Sequence, residues 1–288
     1  MESGGEGLTK IDTHQHLWDL TKLDVPWLPT SGPLAGSHTP EDYARESAGR
    51  EISQTVYMEV DVARGQREAE AAYVYGLCAD PESPMAGAVI GGDPADAGFA
   101  DFLERTESRC RKGVRQVLHG DRPAGYCLTK DFQRGLALLG EKNLLFDFCV
   151  RPGELADVAT CARAHPNNRF VLDHCGNAPI RGTETEIDDW KRGIDAVAKC
   201  PNVVVKLSGI AAQADSSRPL AEQLAPFITF TLDAFGPERA MWASDWPVCK
   251  LGTTLSSWVQ ALDEILAPYP DAAKESVWAE TARRVYGL

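Results

Sequence analysis

Apolar and polar positions along the chain follow two alternating rhythms. Short runs rich in branched and aromatic residues carry the two-residue period of a strand, and the longer stretches between them carry the three-to-four-residue period of a helix. The strand-like runs are 11–18, 54–60, 86–92, 113–118, 144–150, 169–175, 203–208 and 240–245. Helix-like stretches cover 65–79, 95–109, 131–141, 153–164, 185–199 and 218–235, with closing helices over 254–267 and 271–285. A further polar helix is expected from Pro40, with Thr39 as its cap, because proline suits the first turn and a threonine oxygen can accept from the open amides there.

Strands that alternate with helices pair in parallel, and eight such units in 288 residues predict an α/β fold, a single-domain (β/α)₈ TIM barrel. Residues 1–8 read as a Gly-rich flexible tail, and no linker divides the rest. In such a barrel chemistry gathers at the C-terminal strand ends. Those ends carry His14 and His16, Glu59, Arg115 and His119, Asp147, His174, Lys206 and Ser208, and Asp245. Alternation then assigns Val56, Met58, Val60, Val114, Phe146, Phe148, Val171, Val203, Val205 and Leu207 to the helix-facing side. Asp173 falls on that side too, where a salt bridge or helix cap is expected.

Composition narrows the partners. A hydrophobic content of 43% can build one large core, and a formal charge of −13 argues against nucleic acid or an anionic membrane surface. No apolar stretch is long enough to span a bilayer. Eight cysteines are spread singly with no C-x-x-C, which points to reduced thiols and a cytoplasmic address. Cys149, Cys175 and Cys249 lie beside strand ends, with packing the expected role. Whether the outer helices meet water or a second copy in a homo-oligomer stays open.

Candidate chemistry centres on His14-Gln15-His16. Two imidazoles at i and i+2 on a strand share a face, and Asp245 on the last strand can reach them if the sheet closes. That set suits a divalent metal, with the carboxylate as ligand, general base or both. An isolated H-x-H is more often a pair of hydrogen-bonded core histidines. His174, Glu59 and Asp245 at the same barrel end favour the metal.

The stretches Ile11-Asp12-Thr13-His14-Gln15-His16-Leu17-Trp18-Asp19, Pro26-Trp27-Leu28, Gly113-Val114-Arg115-Gln116-Val117-Leu118-His119, Phe146-Asp147-Phe148-Cys149-Val150, Phe170-Val171-Leu172-Asp173-His174-Cys175-Gly176, Val205-Lys206-Leu207-Ser208-Gly209 and Trp242-Ala243-Ser244-Asp245-Trp246-Pro247 appear in this order along nearly the whole chain. Together they resemble the sugar-lactonase branch of the amidohydrolase superfamily, of the amidohydrolase-2 type. The resemblance implies hydrolysis of an aldonolactone such as L-fuconolactone or L-rhamnonolactone in carbohydrate breakdown. It implies a metal held by residues among His14, His16, Glu59, His174 and Asp245. One departure stands out: where the wider superfamily ends its fifth strand in a ligand histidine, this chain has Phe146-Asp147-Phe148-Cys149. Asp147 or Glu59 can supply an oxygen instead, as zinc and manganese accept. The alternative is a metal-free site in which cationic side chains polarise the carbonyl.

Lactone opening needs an activated water, a stabilised oxyanion and a proton for the leaving oxygen. The expected catalytic groups are Asp245 as base, His174 on the carbonyl, and Arg115 and Lys206 as positive charge. For Arg115 and Lys206 the other reading is a buried charge network with Glu59 and Asp147. Trp18, Trp27, Trp246, His119 and Asp147 are the expected substrate-binding groups, the indoles because an aromatic face stacks on a sugar ring. Asp12 is expected to support the histidines from behind. Competing expectations are a decarboxylase or amide hydrolase on the same barrel, and a non-catalytic binding barrel.

Overall fold

Eight parallel strands pair in sequence order in the computed structural model, which describes residues 8–288. They are β1 (Lys10–Gln15), β2 (Ile52–Met58), β3 (Met85–Gly91), β4 (Arg111–Val117), β5 (Leu145–Cys149), β6 (Phe170–Leu172), β7 (Val203–Leu207) and β8 (Ala240–Trp242). The helices are α1 (Pro40–Ser47), α2 (Arg67–Ala79), α3 (Phe99–Arg105), α4 (Lys130–Glu141), α5 (Leu155–Ala164), the single left-handed turn α6 (His174–Asn177), α7 (Glu184–Ala198), α8 (Leu220–Phe235), α9 (Leu255–Leu266), α10 (Asp271–Glu275) and α11 (Thr281–Tyr286). This is the (β/α)₈ barrel read from the periodicity. Of the expected tail, residues 1–7 lie outside the described residues, and Leu8 packs partly buried against the core.

Local chemistry sets the boundaries. Thr39 caps α1 in a reciprocal capping box with Asp42, behind Pro40 in the first turn. The helix expected over 95–109 shortens to α3 because Asp93 and Asp96 turn the chain before it and Arg111 gathers the carbonyls of Leu103 and Thr106 after it. The stretch expected as one helix over 271–285 is broken by a wide turn at Ser276–Glu280. No described helix is long and apolar enough to cross a membrane, and all eight cysteines are free.

Two apolar layers hold the barrel. Between strands and helices lie Val114, Phe146, Phe148, Val203, Val205, Leu207 and Trp242, all buried. Inside the barrel lie Val56, Met58, Val89, Leu145, Val171, Val204 and Met241, with Val285 and Tyr286 of α11 closing the lower end. Burial of each such side chain contributes about 1.5–3 kcal/mol. This corrects the expected parity of two strands. Val56, Met58 and Val171 face the interior, and Tyr57 points outward to donate to Glu70 of α2 at 2.9 Å. The lower interior of a barrel is itself apolar, so an apolar residue on a strand does not identify the helix side.

No regular ladder joins β8 to β1. A bridge between Gln15 and Trp246 and side-chain contacts close the ring instead. His16 N donates to Trp246 O (2.8 Å), Asp245 N to His14 O (3.0 Å) and Thr13 Oγ1 to Trp242 O (2.7 Å). Asp12 Oδ1 accepts from the amides of Ser244 (2.8 Å) and His14 (3.1 Å), and its Oδ2 accepts from Tyr43 Oη (2.7 Å). Asp12 thus fixes backbone rather than the imidazole rings.

Candidate active site

Above the apolar floor the barrel interior becomes ionic. Lys206 Nζ lies 2.6 Å from Asp147 Oδ2 and 3.1 Å from Asp173 Oδ1, with all three side chains sealed from solvent. Burial works against the Lys206 charge, but the two carboxylates outweigh it and hold the ammonium above its ordinary range. Burial also opposes a charged Asp173, yet Lys206 and His14 hold it well below the usual carboxylate range. Asp147 is pushed up to about 6, burial exceeding what Lys206 restores. Asp173 is therefore the firmly ionised member of the pair. It corrects the expectation that Asp173 faces the helices: two residues beyond inward-facing Val171, it points to the barrel axis.

His14 stands over this layer, Nδ1 at 3.4 Å from Asp173 Oδ1 and 3.4 Å from Lys206 Nζ. Its Nε2 meets His16 Nε2 at 3.1 Å, Arg115 Nη1 at 3.2 Å and Asp245 Oδ1 at 3.6 Å. His16 Nε2 is 3.3 Å from Asp245 Oδ1, and its Nδ1 faces the carbonyl of Met58 at 2.9 Å. A carbonyl only accepts, so His16 carries its proton on Nδ1 and presents a lone pair at Nε2. When His14 donates Nδ1–H to Asp173 it does the same, and two lone pairs and a carboxylate then converge on one point. Tetrahedral ligands at 2.0–2.1 Å from zinc lie about 3.3 Å apart. The observed separations match, and the residues present fit a divalent ion. Burial holds His14 well below its ordinary range, which keeps the ring neutral.

Asp245 and His174 both sit in the left-handed backbone region, with φ of 55° and 60°. Strain of this kind is kept where surrounding contacts over-determine it. His14 O and Cys249 N hold Asp245 from either side. His174 Nδ1 is 2.8 Å from Ser208 Oγ, and Gly209 leaves room for its ring, since a Cβ there would fall 2.4 Å from His174 Cγ. Burial lowers the His174 pKa, so this imidazole is also neutral. Arg115 is locked to Glu59 through Nε–Oε1 (2.6 Å) and Nη2–O (2.7 Å). Burial disfavours its charge, and Glu59 more than restores it.

A cavity of about 710 Å³ opens above these groups, lined by His16, Arg115, Cys149, His174 and Asp245 below and by Trp27, His119, Asp61 and Arg122 nearer the rim. A larger depression of about 950 Å³ lies among Trp190, Phe227 and Phe230 on the outer helices, away from the strand ends. The structure thus brings Asp245, His174, Arg115, His14, His16, Trp27 and His119 together. Other expected site residues are placed elsewhere. Trp18 is buried and donates Nε1–H to Gly36 O (2.7 Å), and Trp246 is buried against Tyr43 and donates to Glu46 (2.8 Å); neither lines the cavity. Lys206 and Asp147 pair below it, so they form the buried charge network rather than touch substrate. Glu59 is consumed by Arg115 and stands outside both groups whose ligand atoms lie close enough to share an ion, His14 with His16 and Asp245, and His14 with Asp173 and His174. Asp147 and Glu59 therefore do not fill the gap left by the missing strand-five histidine. Cys149 does line the cavity, with burial pushing its thiol up to about 12, which rules out a resting thiolate. Sequence reasoning missed Asp61, Arg64, Arg67 and Arg122, although their loops follow β2 and β4 at the C-terminal face.

Comparison with known proteins gives this constellation relatives. The chain is 30% identical over 293 residues to an L-fucono-1,5-lactonase of Burkholderia multivorans, covering 98% of this chain and 97% of that one. It is 28% identical to an L-fucono-1,5-lactonase of Burkholderia ambifaria over 90% of each chain. A zinc-bound crystal structure of an amidohydrolase from Burkholderia multivorans superposes with a TM-score of 0.86 at 26% identity, covering 97% of this chain and 99% of that one. The amidohydrolase family model matches residues 11–288, and the chain belongs to that family.

Proposed function

We propose that the protein opens a sugar-acid lactone by water attack on the ring ester. The observation that carries this reading is Asp245 Oδ1 within 3.3 Å of His16 Nε2 on the floor of a sugar-sized cavity. The fuconolactonase relatives support the reaction class. His14, His16 and Asp245 would hold a zinc or manganese ion, which supplies Lewis acidity to an oxygen of water or of the lactone carbonyl.

The chain's own groups do the rest. Asp245 takes a proton from the attacking water as the new C–O bond forms at the carbonyl carbon. Ser208 Oγ can donate to His174 Nδ1, which leaves Nε2–H directed at the carbonyl oxygen as negative charge builds there. Arg115, fixed by Glu59, adds a permanent positive charge beside His14. When the ring C–O bond breaks, Asp245 returns its proton to the departing oxygen, and a hydroxy acid results. Trp27 offers an indole face at the rim, and His119 a polar edge.

Each opened lactone releases an acid, so a pH indicator reads the reaction across a panel of aldonolactones. Activity on at least one is expected. Dialysis against a strong chelator is expected to abolish it, with zinc or manganese restoring it. No acid release from any sugar lactone would overturn the reading, and activity indifferent to chelation would leave the cationic, metal-free version.

A further inference from the structure

Guanidinium groups gather at the cavity mouth with few direct ion pairs to carboxylates. Arg64 and Arg67, from the loop after β2 and the first turn of α2, and Arg122, from the loop after β4, all line it. Arg64 Nη2 and Arg122 Nη2 share a single oxygen, Asp93 Oδ2, at 3.2 and 2.9 Å. Asp93 Oδ1 is already taken by the Ala95 amide (3.1 Å) and the Tyr126 hydroxyl (3.1 Å). Arg67 has no carboxylate within ion-pair distance among the described residues; its Nη2 donates to the neutral Gln116 Oε1 at 3.0 Å. Two further acids line the mouth without an ion pair. Both are exposed, and Asp61 lies in the field of Arg115, Arg67 and Arg122 as well as of Glu59.

Placement sharpens the point. Arg64 and Arg67 stand at the N-terminal end of α2, where the helix dipole already carries positive charge and disfavours cations. Arg122 is pinned flat, its guanidinium 4.7 Å from the Tyr126 ring centre. A forked donor without an anionic partner, beside two others sharing one oxygen, is built to receive a carboxylate. It does so in a chain of formal charge −13, whose overall field would otherwise repel acids.

We propose that this wall is a carboxylate subsite, and that the preferred substrate is the lactone of a diacid sugar, whose free carboxylate Arg67 receives with Arg64 and Arg122. This rests on the lactonase reading and goes beyond it, since the lactone named for the Burkholderia relatives carries no free carboxylate. Asp61 is left to accept hydroxyl groups of the same ligand.

Two measurements test it. The first compares kcat/KM for a hexaric acid lactone and for the hexonic lactone of the same ring at low salt. A preference of at least about 10-fold for the anionic lactone is expected, shrinking as salt screens it. R67Q and, separately, the more exposed R64Q are expected to reduce that preference, mainly through KM. The second measures binding of hexarate and hexonate by calorimetry with wild type and both variants, with melting curves checking that the variants fold. Tighter hexarate binding that weakens in R67Q supports the subsite even if neither lactone is opened, an outcome that would sink the lactonase reading alone. Equal or better turnover of the neutral lactone, or hexarate binding unchanged in R67Q, overturns the subsite while leaving lactonase activity standing.

Discussion

Lys206 is the residue on which the interior charge layer turns. It is the cation that Asp147 and Asp173 share, with no solvent in reach. Lys206→Met keeps the volume but leaves Asp147 without a cation and Asp173 with only Arg115 at 3.5 Å, and breaking a buried pair in this way costs about 3–5 kcal/mol. Urea unfolding of this variant is expected to show that loss. Unchanged stability would mean that the layer is not ionised. Glu70 offers a second test. Its Oε1 accepts from Tyr57 and the Val60 amide, while burial, followed by the charge of Glu59, pushes its pKa up to about 8. The folded state therefore keeps a proton that the unfolded state releases near the ordinary carboxyl value. Stability from this group is fully present below that value and is lost as pH rises through about 8. Glu70→Gln is expected to flatten the fall in melting temperature from about pH 5 to about pH 8. A fall as steep as the wild type's would assign it to other groups.

Among elements, the seam between β8 and β1 matters most, because it carries His14, His16 and Asp245 without a regular ladder. Asp12 stitches it, and α1 steadies Asp12 through Tyr43, whose hydroxyl sits 2.7 Å from the carboxylate. Tyr43→Phe removes that bond to a buried acid, with an expected loss of about 1.5–3 kcal/mol. It is also expected to lower kcat more than KM, because Asp245 is positioned through the same seam. A variant as stable and active as wild type would show that the seam holds without α1. The seam also shows how far periodicity reads. Eight strands and most helices were legible from their periods, and the polar strand ends marked the working face. The facing of β2 and β6 was not, because Val56, Met58 and Val171 fill an apolar lower interior that has the same composition as the outer layer. Asp173 was misplaced with them. Trp18 and Trp246 misled for a related reason: flanking a site in sequence says nothing about which side of the strand an indole packs on.

For the molecule as a whole, closing the ring is what creates the site. The two histidines and the aspartate lie more than 200 residues apart in sequence, yet their ligand atoms come within 4.8 Å of one another. The sequence pattern and the family resemblance indicated this group; only the fold shows that Glu59 is spent on Arg115 and that Asp147 lies a layer below. It also shows the arginine-lined mouth, since Arg64, Arg67 and Arg122 come from two loops and the first turn of α2 with no shared motif. The central claim is that Asp245 moves the proton in lactone opening. Its most direct test is the rate of acid release by D245N and wild type on one sugar lactone, with bound zinc and manganese determined in the same samples. A loss of about 100-fold or more in kcat, the scale of a lost general base, is expected for D245N. Wild-type kcat in D245N would contradict the account.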